Sequence, residues 1–399
     1  GVACGIYPIT PQTEIVEYVA KFPFSKGRVV PVESEHSAMA VSMGASISGA
    51  RAFTASSANG LAYMAENVMV AGYYRLPIVM VAVNRTLGPP WNIWADQGDT
   101  LALRDFAWLQ FYCETNQEVV DTTLLAFRLA EDRRILLPVM LCMDAFIVSH
   151  TQSETALPEQ ADVDRFLPDL DLPHRVRYDE ARTLGSLAWP DEGLASRLEI
   201  DEAMKRVPAV YNECQSIFKE TFGRDPGAAV QTYATEDAEA ILVASGTMAT
   251  TTREVVKKRR AAGEKIGFVK LKMYRPFPAD ELREAEQTCP VEWIEEACAT
   301  GRPAAARTTS MDSPVWDVTD ADVIVDENID TADRLPDPGD ITKQACRSIS
   351  TSGPVQVTSS SGHKVRFWAR DVVVLNDGFT VTAGSELVID LVPWAGRPL

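Results

Sequence analysis

Residues 28–84 decide the fold class and read RVVPVESEHSAMAVSMGASISGARAFTASSANGLAYMAENVMVAGYYRLPIVMVAVN. This stretch contains three apolar, β-rich runs, Arg28 to Val32, Arg51 to Ala55 and Ile78 to Asn84. Helical patterns separate the runs, and a fourth run, Ile135 to Met143, also follows a helical pattern. Buried strands that alternate with helices are typical of a parallel sheet covered on both faces. We therefore predict an α/β domain over residues 1–150.

The composition of the 399-residue chain is that of a globular protein with more than one domain. It is 46% hydrophobic and 24% charged, which is enough apolar sequence for several cores. Its apolar runs, such as Leu76 to Val83, are shorter than the ~20 residues of a membrane helix, and its first residues show no basic region followed by an apolar one. We expect a cytoplasmic protein with no membrane partner.

The net charge and the cysteine spacing argue against a nucleic-acid-binding protein and against a metal or iron–sulfur site in this chain. The net charge of -18 repels the phosphate backbone of nucleic acids, so we expect no nucleic-acid partner. The seven cysteines are scattered and form no C-x-x-C pair. Such spacing predicts neither a zinc site nor an iron–sulfur cluster within this chain. Reduced cysteines packed in cores fit the pattern.

Two segments follow the first domain. Residues 151–232 are rich in proline and acidic residues and end in a helix around Arg197 to Phe222, so we expect them to wrap the first domain and act as a connector. Residues 233–290 predict a second, smaller α/β domain with strands Ala240 to Ala244 and Ile266 to Met273.

The C-terminal part has a different pattern. Residues 291–345 predict an acidic irregular linker, because Met311 to Asp340 holds ten acidic residues against one basic residue. Residues 346–399 alternate again and contain turn signals such as Asn376-Asp-Gly, which predicts a small β-rich module.

Ligands of open parallel sheets bind beyond the carboxyl ends of the strands. That rule brings three loops around one crevice, Glu33 to His36, Ser56 to Gly60 and Asn84 to Asp99. Loops of this kind carry function when they are long and rich in unusual residues, as the third one is. The crevice is therefore the predicted site.

Each candidate residue has two interpretations. Glu35 either is stabilised by a helix N-terminus or shares a proton with a cofactor nitrogen. Arg85 either lies at the surface or clamps a carboxylate, and Thr10, in a loop stiffened by two prolines, either belongs to a turn or faces a small anion. Ser56 and Ser57 either cap the next helix or bind the cofactor or substrate.

A series of motifs in one order carries a resemblance to a known family. The motifs are Tyr7-Pro-Ile-Thr-Pro11, Glu33-Ser-Glu-His36, Arg51-Ala-Phe-Thr-Ala-Ser-Ser57, Asn84-Arg-Thr-Leu87, Trp91-Asn-Ile-Trp-Ala-Asp-Gln-Gly-Asp99, Leu137-Pro-Val-Met-Leu-Cys-Met-Asp144, Phe166-Leu-Pro-Asp, Thr183-Leu-Gly-Ser186, Glu236-Asp-Ala-Glu and Arg275-Pro-Phe-Pro278. Together they resemble the α subunit of pyruvate:ferredoxin oxidoreductase and its 2-oxoacid:ferredoxin relatives. The resemblance covers residues 1 to about 285.

The resemblance implies a pyrimidine-type domain for thiamine diphosphate and a smaller domain like the C-terminal domain of transketolase. It implies that Glu35 hydrogen-bonds the aminopyrimidine nitrogen of thiamine diphosphate and that Thr10 and Arg85 hold the 2-oxoacid. We expect Ser56 and Ser57 to bind the same cofactor. A partner β subunit would bind the diphosphate and Mg2+. Glu35, Thr10 and Arg85 are then the catalytic residues.

The reaction implied is oxidative decarboxylation of a 2-oxoacid, with pyruvate favoured, to acyl-CoA and carbon dioxide. Electrons would pass through 4Fe-4S clusters, held in partner subunits and not in this chain, to ferredoxin. The implied assembly contains the β subunit, a γ subunit and a ferredoxin-like δ subunit, and it uses coenzyme A. An aryl or branched-chain 2-oxoacid stays open as the substrate.

Both ends of the chain depart from the family. The N-terminus looks truncated, and after Pro278 the expected segments are missing, so we expect an incomplete second domain. The tail is weakly similar to β-rich modules of bacterial secreted or surface proteins, through Val365-Arg-Phe-Trp-Ala-Arg370 and Gly378-Phe-Thr-Val-Thr-Ala-Gly384. A joined, chimeric and non-catalytic chain is therefore an alternative hypothesis.

Overall fold

The computed structural model describes two units, Gly1–Val291 and Glu292–Leu399. In the first unit the described residues are 2–24, 27–173, 175–177, 179–180, 184–185 and 187–287. In the second unit the backbone of nine short strands between residues 323 and 391 is described.

The first unit alternates strands and helices along most of its length. It begins with β1 (Val2–Ile6), α1 (Thr13–Lys21), β2 (Gly27–Pro31), α2 (Glu35–Ile47), β3 (Arg51–Ser56), α3 (Ala58–Tyr63), α4 (Ala65–Tyr73) and β4 (Ile78–Asn84). It continues with α5 (Gly98–Leu101), β5 (Leu109–Cys113), α6 (Asn116–Glu131), β6 (Val139–Asp144), α7 (Gln160–Phe166) and α8 (Pro190–Phe222). It ends with β7 (Val230–Tyr233), β8 (Ala240–Ala244), α9 (Thr247–Ala261), β9 (Ile266–Leu271), β10 (Met273–Arg275) and α10 (Ala279–Gln287).

The main sheet has seven strands in the order β10-β5-β6-β4-β3-β1-β2. All neighbours in it are parallel except β10, which runs antiparallel to β5. Every residue of β4 and β6 is buried, which is why these strands are apolar up to their last residues, Asn84 and Asp144, and do not alternate. The predicted parallel α/β class is confirmed.

Helix α2 packs unusually close to the sheet. Ser34 begins the helix by accepting a hydrogen bond from the Ser37 main-chain N–H over 3.2 Å. A Cβ atom at Gly5 of β1 would lie 2.1 Å from the Ala38 carbonyl oxygen, so only glycine allows this approach. The close packing places Glu35, the first residue of α2, directly at the carboxyl ends of the strands.

Three elements differ from the sequence prediction. The predicted helix from Leu61 to Tyr74 is two helices, α3 and α4, which meet at Met64. The predicted strand from Ile135 begins only at Val139. The predicted strand from Ile266 to Met273 is also wrong in part: β9 ends at Leu271, and β10 joins the main sheet instead.

The second sheet of this unit has three strands in the order β7-β9-β8, with β7 antiparallel and β8 parallel to β9. Helix α9 packs Val256 against Phe268 of β9 in a small core of its own. These strands and this helix have the α/β composition that the sequence predicted for the smaller domain. The domain limits drawn from the sequence stay predictions.

Buried charges join the second sheet to the first. Lys270 of β9 is 1% exposed, and its Nζ lies 2.7 Å from Glu118 Oε1 and 2.9 Å from Glu114 Oε1. Arg253 of α9 also contacts Glu114, 2.9 Å from Oε1. Burial opposes ionisation of Glu114, but Arg253 and Lys270 outweigh it and lower its pKa to about 2.

The second unit contains β11 (Val323–Val325), β12 (Ile329–Asp330), β13 (Ile341–Ala345), β14 (Ser348–Ser350), β15 (Gln356–Val357), β16 (Lys364–Ala369), β17 (Val372–Val374), β18 (Thr380–Val381) and β19 (Glu386–Leu391). All of its described pairings are parallel.

Paired strands of the second unit recur at a regular sequence distance. Val323 pairs with Lys343 and Ile341 with Val365, so partners lie 20 and 24 residues apart. Short parallel strands paired at this interval are typical of successive turns of a β-solenoid. The β-rich character therefore extends into residues 291–345, where the sequence predicted an irregular linker, because abundant aspartate and proline obscure the alternation there.

Candidate active site

The loops at the carboxyl ends of β1, β3 and β4 meet at one edge of the main sheet. Arg85 directly follows β4, is buried, and donates a hydrogen bond from Nη1 to the Thr10 carbonyl oxygen over 2.5 Å. Thr10 itself is exposed. The arginine that was a candidate clamp thus lies beside the candidate threonine, although 75 residues separate them in sequence.

Glu35 lies against the β3–α3 loop. It is 8% exposed, and a Cβ atom at Gly60 would lie 2.8 Å from its Oε1 and 2.6 Å from Ser56 Oγ. Gly60 therefore leaves the space that the carboxylate and the hydroxyl occupy. The Glu35 carboxylate makes no hydrogen bond to any described residue, so it keeps its accepting capacity for a ligand.

The two serines of this loop are fully buried. Neither Ser56 Oγ nor Ser57 Oγ has a hydrogen-bond partner in the described part of the chain, and the same holds for Arg85 Nε. Buried polar atoms of this kind are costly unless something pairs with them. The unpaired atoms therefore leave hydrogen-bonding capacity for a polar ligand beside Glu35.

Asp99, which the sequence analysis did not single out as a functional residue, ties these loops together. It is 2% exposed and accepts hydrogen bonds at Oδ2 from the main-chain N–H groups of Ala58, over 2.9 Å, and Arg85, over 3.1 Å. Burial raises the pKa of Asp99 to about 6, against the lowering effect of its hydrogen bonds. In the sequence, Asp99 stands out only as an acidic residue in the loop that contains Trp91 and Trp94. Asp96 lies in the same loop, so the sequence alone does not distinguish Asp99 from it.

The loop between Arg85 and Asp99 is held at its base and exposed at its tip. Asn59 and Gly88 exchange two hydrogen bonds of 3.0 Å each. Trp91 and Trp94 are 70% and 68% exposed. An arrangement with a fixed base and open aromatic side chains suits contact with another molecule.

The far end of the loop reaches the second sheet. Gln97 donates to Asp144 at the carboxyl end of β6 over 3.3 Å, and Asp144 accepts from the Thr247 main-chain N–H over 2.8 Å. Asp144 thereby caps the start of α9. His36, by contrast, lies 3.8 Å from Glu66 at the surface, outside these contacts.

The described residues contain neither a candidate metal site nor a membrane-spanning helix. No group of three or more His, Cys, Asp or Glu side chains there could hold a metal ion. No described helix is both long and apolar enough to cross a bilayer. The four described cysteines, Cys4, Cys113, Cys142 and Cys214, are free and buried.

Two family models match this chain. Residues 2–216 match the model described as pyruvate flavodoxin/ferredoxin oxidoreductase, thiamine diP-bdg. The chain belongs to this family. Residues 238–323 match pyruvate:ferredoxin oxidoreductase core domain II, so the likeness extends beyond the predicted limit of about 285. The chain is thus an oxidoreductase subunit with a thiamine-diphosphate-binding domain.

Individual relatives agree with the family. The pyruvate synthase subunit PorA of Methanothermobacter thermautotrophicus is 46% identical over 283 residues, which cover 70% of this chain and 74% of that one. The ketoisovalerate oxidoreductase subunit VorA of Pyrococcus horikoshii is 43% identical over 291 residues, 71% of this chain and 72% of that one.

The fold also has a solved counterpart. The 2-oxoglutarate:ferredoxin oxidoreductase from Magnetococcus marinus aligns with a TM-score of 0.54 at 20% identity. The alignment covers 73% of this chain and 54% of that chain, so the present chain spans about half of its length. At this identity the likeness concerns the fold alone.

Proposed function

We propose that this chain is the α subunit of a pyruvate:ferredoxin oxidoreductase. The enzyme oxidatively decarboxylates pyruvate, transfers the acyl group to coenzyme A, releases carbon dioxide and passes two electrons to ferredoxin. The observation that carries the proposal is that Arg85 contacts Thr10 and is joined through Asp99 to Ala58, while Glu35 lies beside Gly60 of the same helix as Ala58. Family membership supplies the reaction class.

The roles of the residues follow from their positions. Thiamine diphosphate, when bound, supplies the electron sink that decarboxylation of a 2-oxoacid requires. Glu35 holds a proton at the pyrimidine nitrogen, since its buried carboxylate has no protein donor to satisfy it. Ser56 and Ser57 offer their unpaired hydroxyls to the same group.

The substrate side of the cleft carries the positive charge. Arg85 is anchored through Nη1, which leaves the rest of its guanidinium to pair with the carboxylate of pyruvate. Thr10 lies beside it and orients the small anion through its exposed hydroxyl. Binding and orientation of this kind contribute to the rate by fixing the reacting groups.

We further propose the assembly in which this chain works. A β subunit binds the diphosphate and Mg2+, and γ and ferredoxin-like δ subunits complete a cytoplasmic complex with 4Fe-4S clusters. The PorA relative is named as a subunit, which supports an assembly of several chains. The exposed Trp91 and Trp94 beside the cleft suit contact with such a chain.

The central test compares two glutamates of one loop. Glu35→Gln in the assembled complex removes the buried carboxylate, whereas Glu33→Gln changes an exposed one. We expect Glu35→Gln to lower pyruvate-dependent, coenzyme A-dependent dye reduction by about 10²–10⁴-fold, the usual contribution of a general acid or base. Glu33→Gln should retain activity. Full turnover by a folded Glu35→Gln complex would refute the proposal.

A second candidate substrate has a specific observation in its favour. The VorA relative, named for ketoisovalerate, is 43% identical, close to the 46% of the PorA relative. A branched-chain or an aryl 2-oxoacid is therefore the alternative substrate. The ratio of kcat/KM for pyruvate, 3-methyl-2-oxobutanoate and phenylpyruvate decides between them, and inactivity toward all three favours the non-catalytic alternative.

A further inference from the structure

Asp99 is buried behind the loops of the candidate site and accepts hydrogen bonds at both of its carboxylate oxygens. Oδ2 accepts from the main-chain N–H groups of Ala58 and Arg85, and Oδ1 accepts from Asn84 Nδ2 and from the Thr100 main-chain N–H, both over 2.8 Å. Four donors converge on one carboxylate that is 2% exposed. Only an ionised carboxylate can accept all four, because a protonated acid or an amide would turn a hydrogen atom toward a donor.

Two of these donors belong to the segments that we propose to hold ligands. The Arg85 main chain carries the guanidinium proposed to bind the substrate carboxylate. Ala58 follows Ser57 directly and has a φ of 44°, in the left-handed region that an alanine rarely adopts. Its hydrogen bond to Asp99 stabilises this turn. One carboxylate oxygen, Asp99 Oδ2, therefore fixes the arginine and the serine loop relative to each other.

We propose that Asp99 is a positioning residue of the active site, which holds the Arg85 clamp and the Ser57 loop in register and thereby sets the affinity for the 2-oxoacid. The inference rests on the proposed function for its substrate. Asp99 does not touch the substrate and acts only through the main chain of Arg85. Its loss should therefore weaken substrate binding more than it slows the chemical step.

Protonation of Asp99 should act like its removal. The titratable groups that interact with it from neighbouring strands are Tyr112 of β5 and Cys142 of β6. Burial raises the pKa of both far above neutrality, so both stay uncharged wherever Asp99 titrates. The pKa of Asp99 itself is raised by burial to about 6. Below that pH a hydrogen atom on the carboxyl would oppose one of the four donors.

The experiment uses the assembled complex and two variants of one loop. Asp99→Asn removes the four-fold acceptor, and Asp96→Asn is the matched control, since Asp96 is exposed and accepts only the Gly98 main-chain N–H at the surface. KM and kcat for pyruvate are measured between pH 8 and pH 5.5. The KM for coenzyme A serves as an internal reference.

We expect Asp99→Asn to raise the KM for pyruvate at least tenfold, with a smaller change in kcat and no change in the KM for coenzyme A. The wild-type KM should rise as the pH falls through about 6, and this rise should be absent from Asp99→Asn. A merely structural role would lower the amount of active complex, which reduces kcat and leaves KM unchanged. An unchanged KM for pyruvate in Asp99→Asn overturns the inference.

Two further readouts keep the inference testable. If the wild-type complex does not use pyruvate, the proposed function fails, and hydrogen exchange then tests Asp99 alone: the amides of residues 57–59 and 84–86 should exchange faster in Asp99→Asn than in Asp96→Asn. Equal exchange overturns the inference whatever the substrate. If the Asp99→Asn complex does not assemble, a wild-type KM for pyruvate that stays flat down to pH 5.5 overturns it.

Discussion

Gly60 provides the space in which Glu35 lies: a Cβ atom at residue 60 would stand 2.8 Å from Glu35 Oε1. The two residues lie on different elements, Gly60 within α3 and Glu35 at the start of α2. A change at Gly60 therefore tests the position of the carboxylate without altering its chemistry.

Gly60→Ala should displace Glu35 and Ser56, because the added Cβ would lie under 3 Å from a side-chain oxygen of each. We expect the activity of the assembled complex to fall by at least tenfold while the fold is kept, since side chains can yield more easily than backbone. The measurement is pyruvate-dependent dye reduction. Gly44→Ala is the control, because a Cβ at Gly44 meets no atom within 4 Å. Wild-type activity in Gly60→Ala would contradict the proposed cleft.

Arg85→Lys keeps the charge but loses the planar donors. Lysine offers a point charge and cannot both contact the Thr10 carbonyl and pair two-fold with a carboxylate. We expect the KM for pyruvate to rise by about ten- to a hundredfold, in line with the loss of one or two charge-assisted hydrogen bonds. Arg104→Lys, at a half-exposed site, should leave the KM unchanged. An equal KM for pyruvate in both variants would show that Arg85 does not bind the substrate carboxylate.

Lys270→Met removes the cation between Glu114 and Glu118 and leaves two carboxylates close together in a buried site. Breaking a buried ion pair from one side costs about 3 kcal/mol or more. For a chain of this size we expect the thermal unfolding midpoint to drop by roughly 5–10 °C. Lys265→Met, which affects an exposed pair with Glu239, should change it little. A midpoint equal to that of wild type would show that the buried cluster contributes no stability.

The stability difference between wild type and Glu114→Gln should depend on pH in a defined direction. The pKa of Glu114 is lowered from 4.5 to about 2, so its stabilising effect is fully present above pH 4.5 and is lost as the pH falls toward 2. The unfolding midpoint of wild type should exceed that of Glu114→Gln at pH 7, and the difference should shrink below pH 4.5. Glu254→Gln, at an exposed pair, is the control. A difference that grows on acidification would contradict the assignment.

The sequence alone determined the fold class and the place of the cleft. Continuous apolar runs such as Ile78 to Val83 occur in strands covered on both faces, and parallel strands bring their carboxyl ends to one edge. The sheet rule left two interpretations for each of Thr10, Glu35 and Arg85, and their place in the family's ordered series of motifs singled them out before any contact was known. Their contacts with ligands remain predictions, whereas their closeness follows from the sheet.

Tertiary structure alone decided which residues hold that edge together. Asp99 reaches Ala58 across 41 residues, and Lys270 reaches Glu118 across 152, and no local pattern encodes such pairs. The same holds for β10, which joins the main sheet although its sequence continues that of β9. Local periodicity reports which face of an element is buried, but the partner of a buried polar group is set only when distant segments pack.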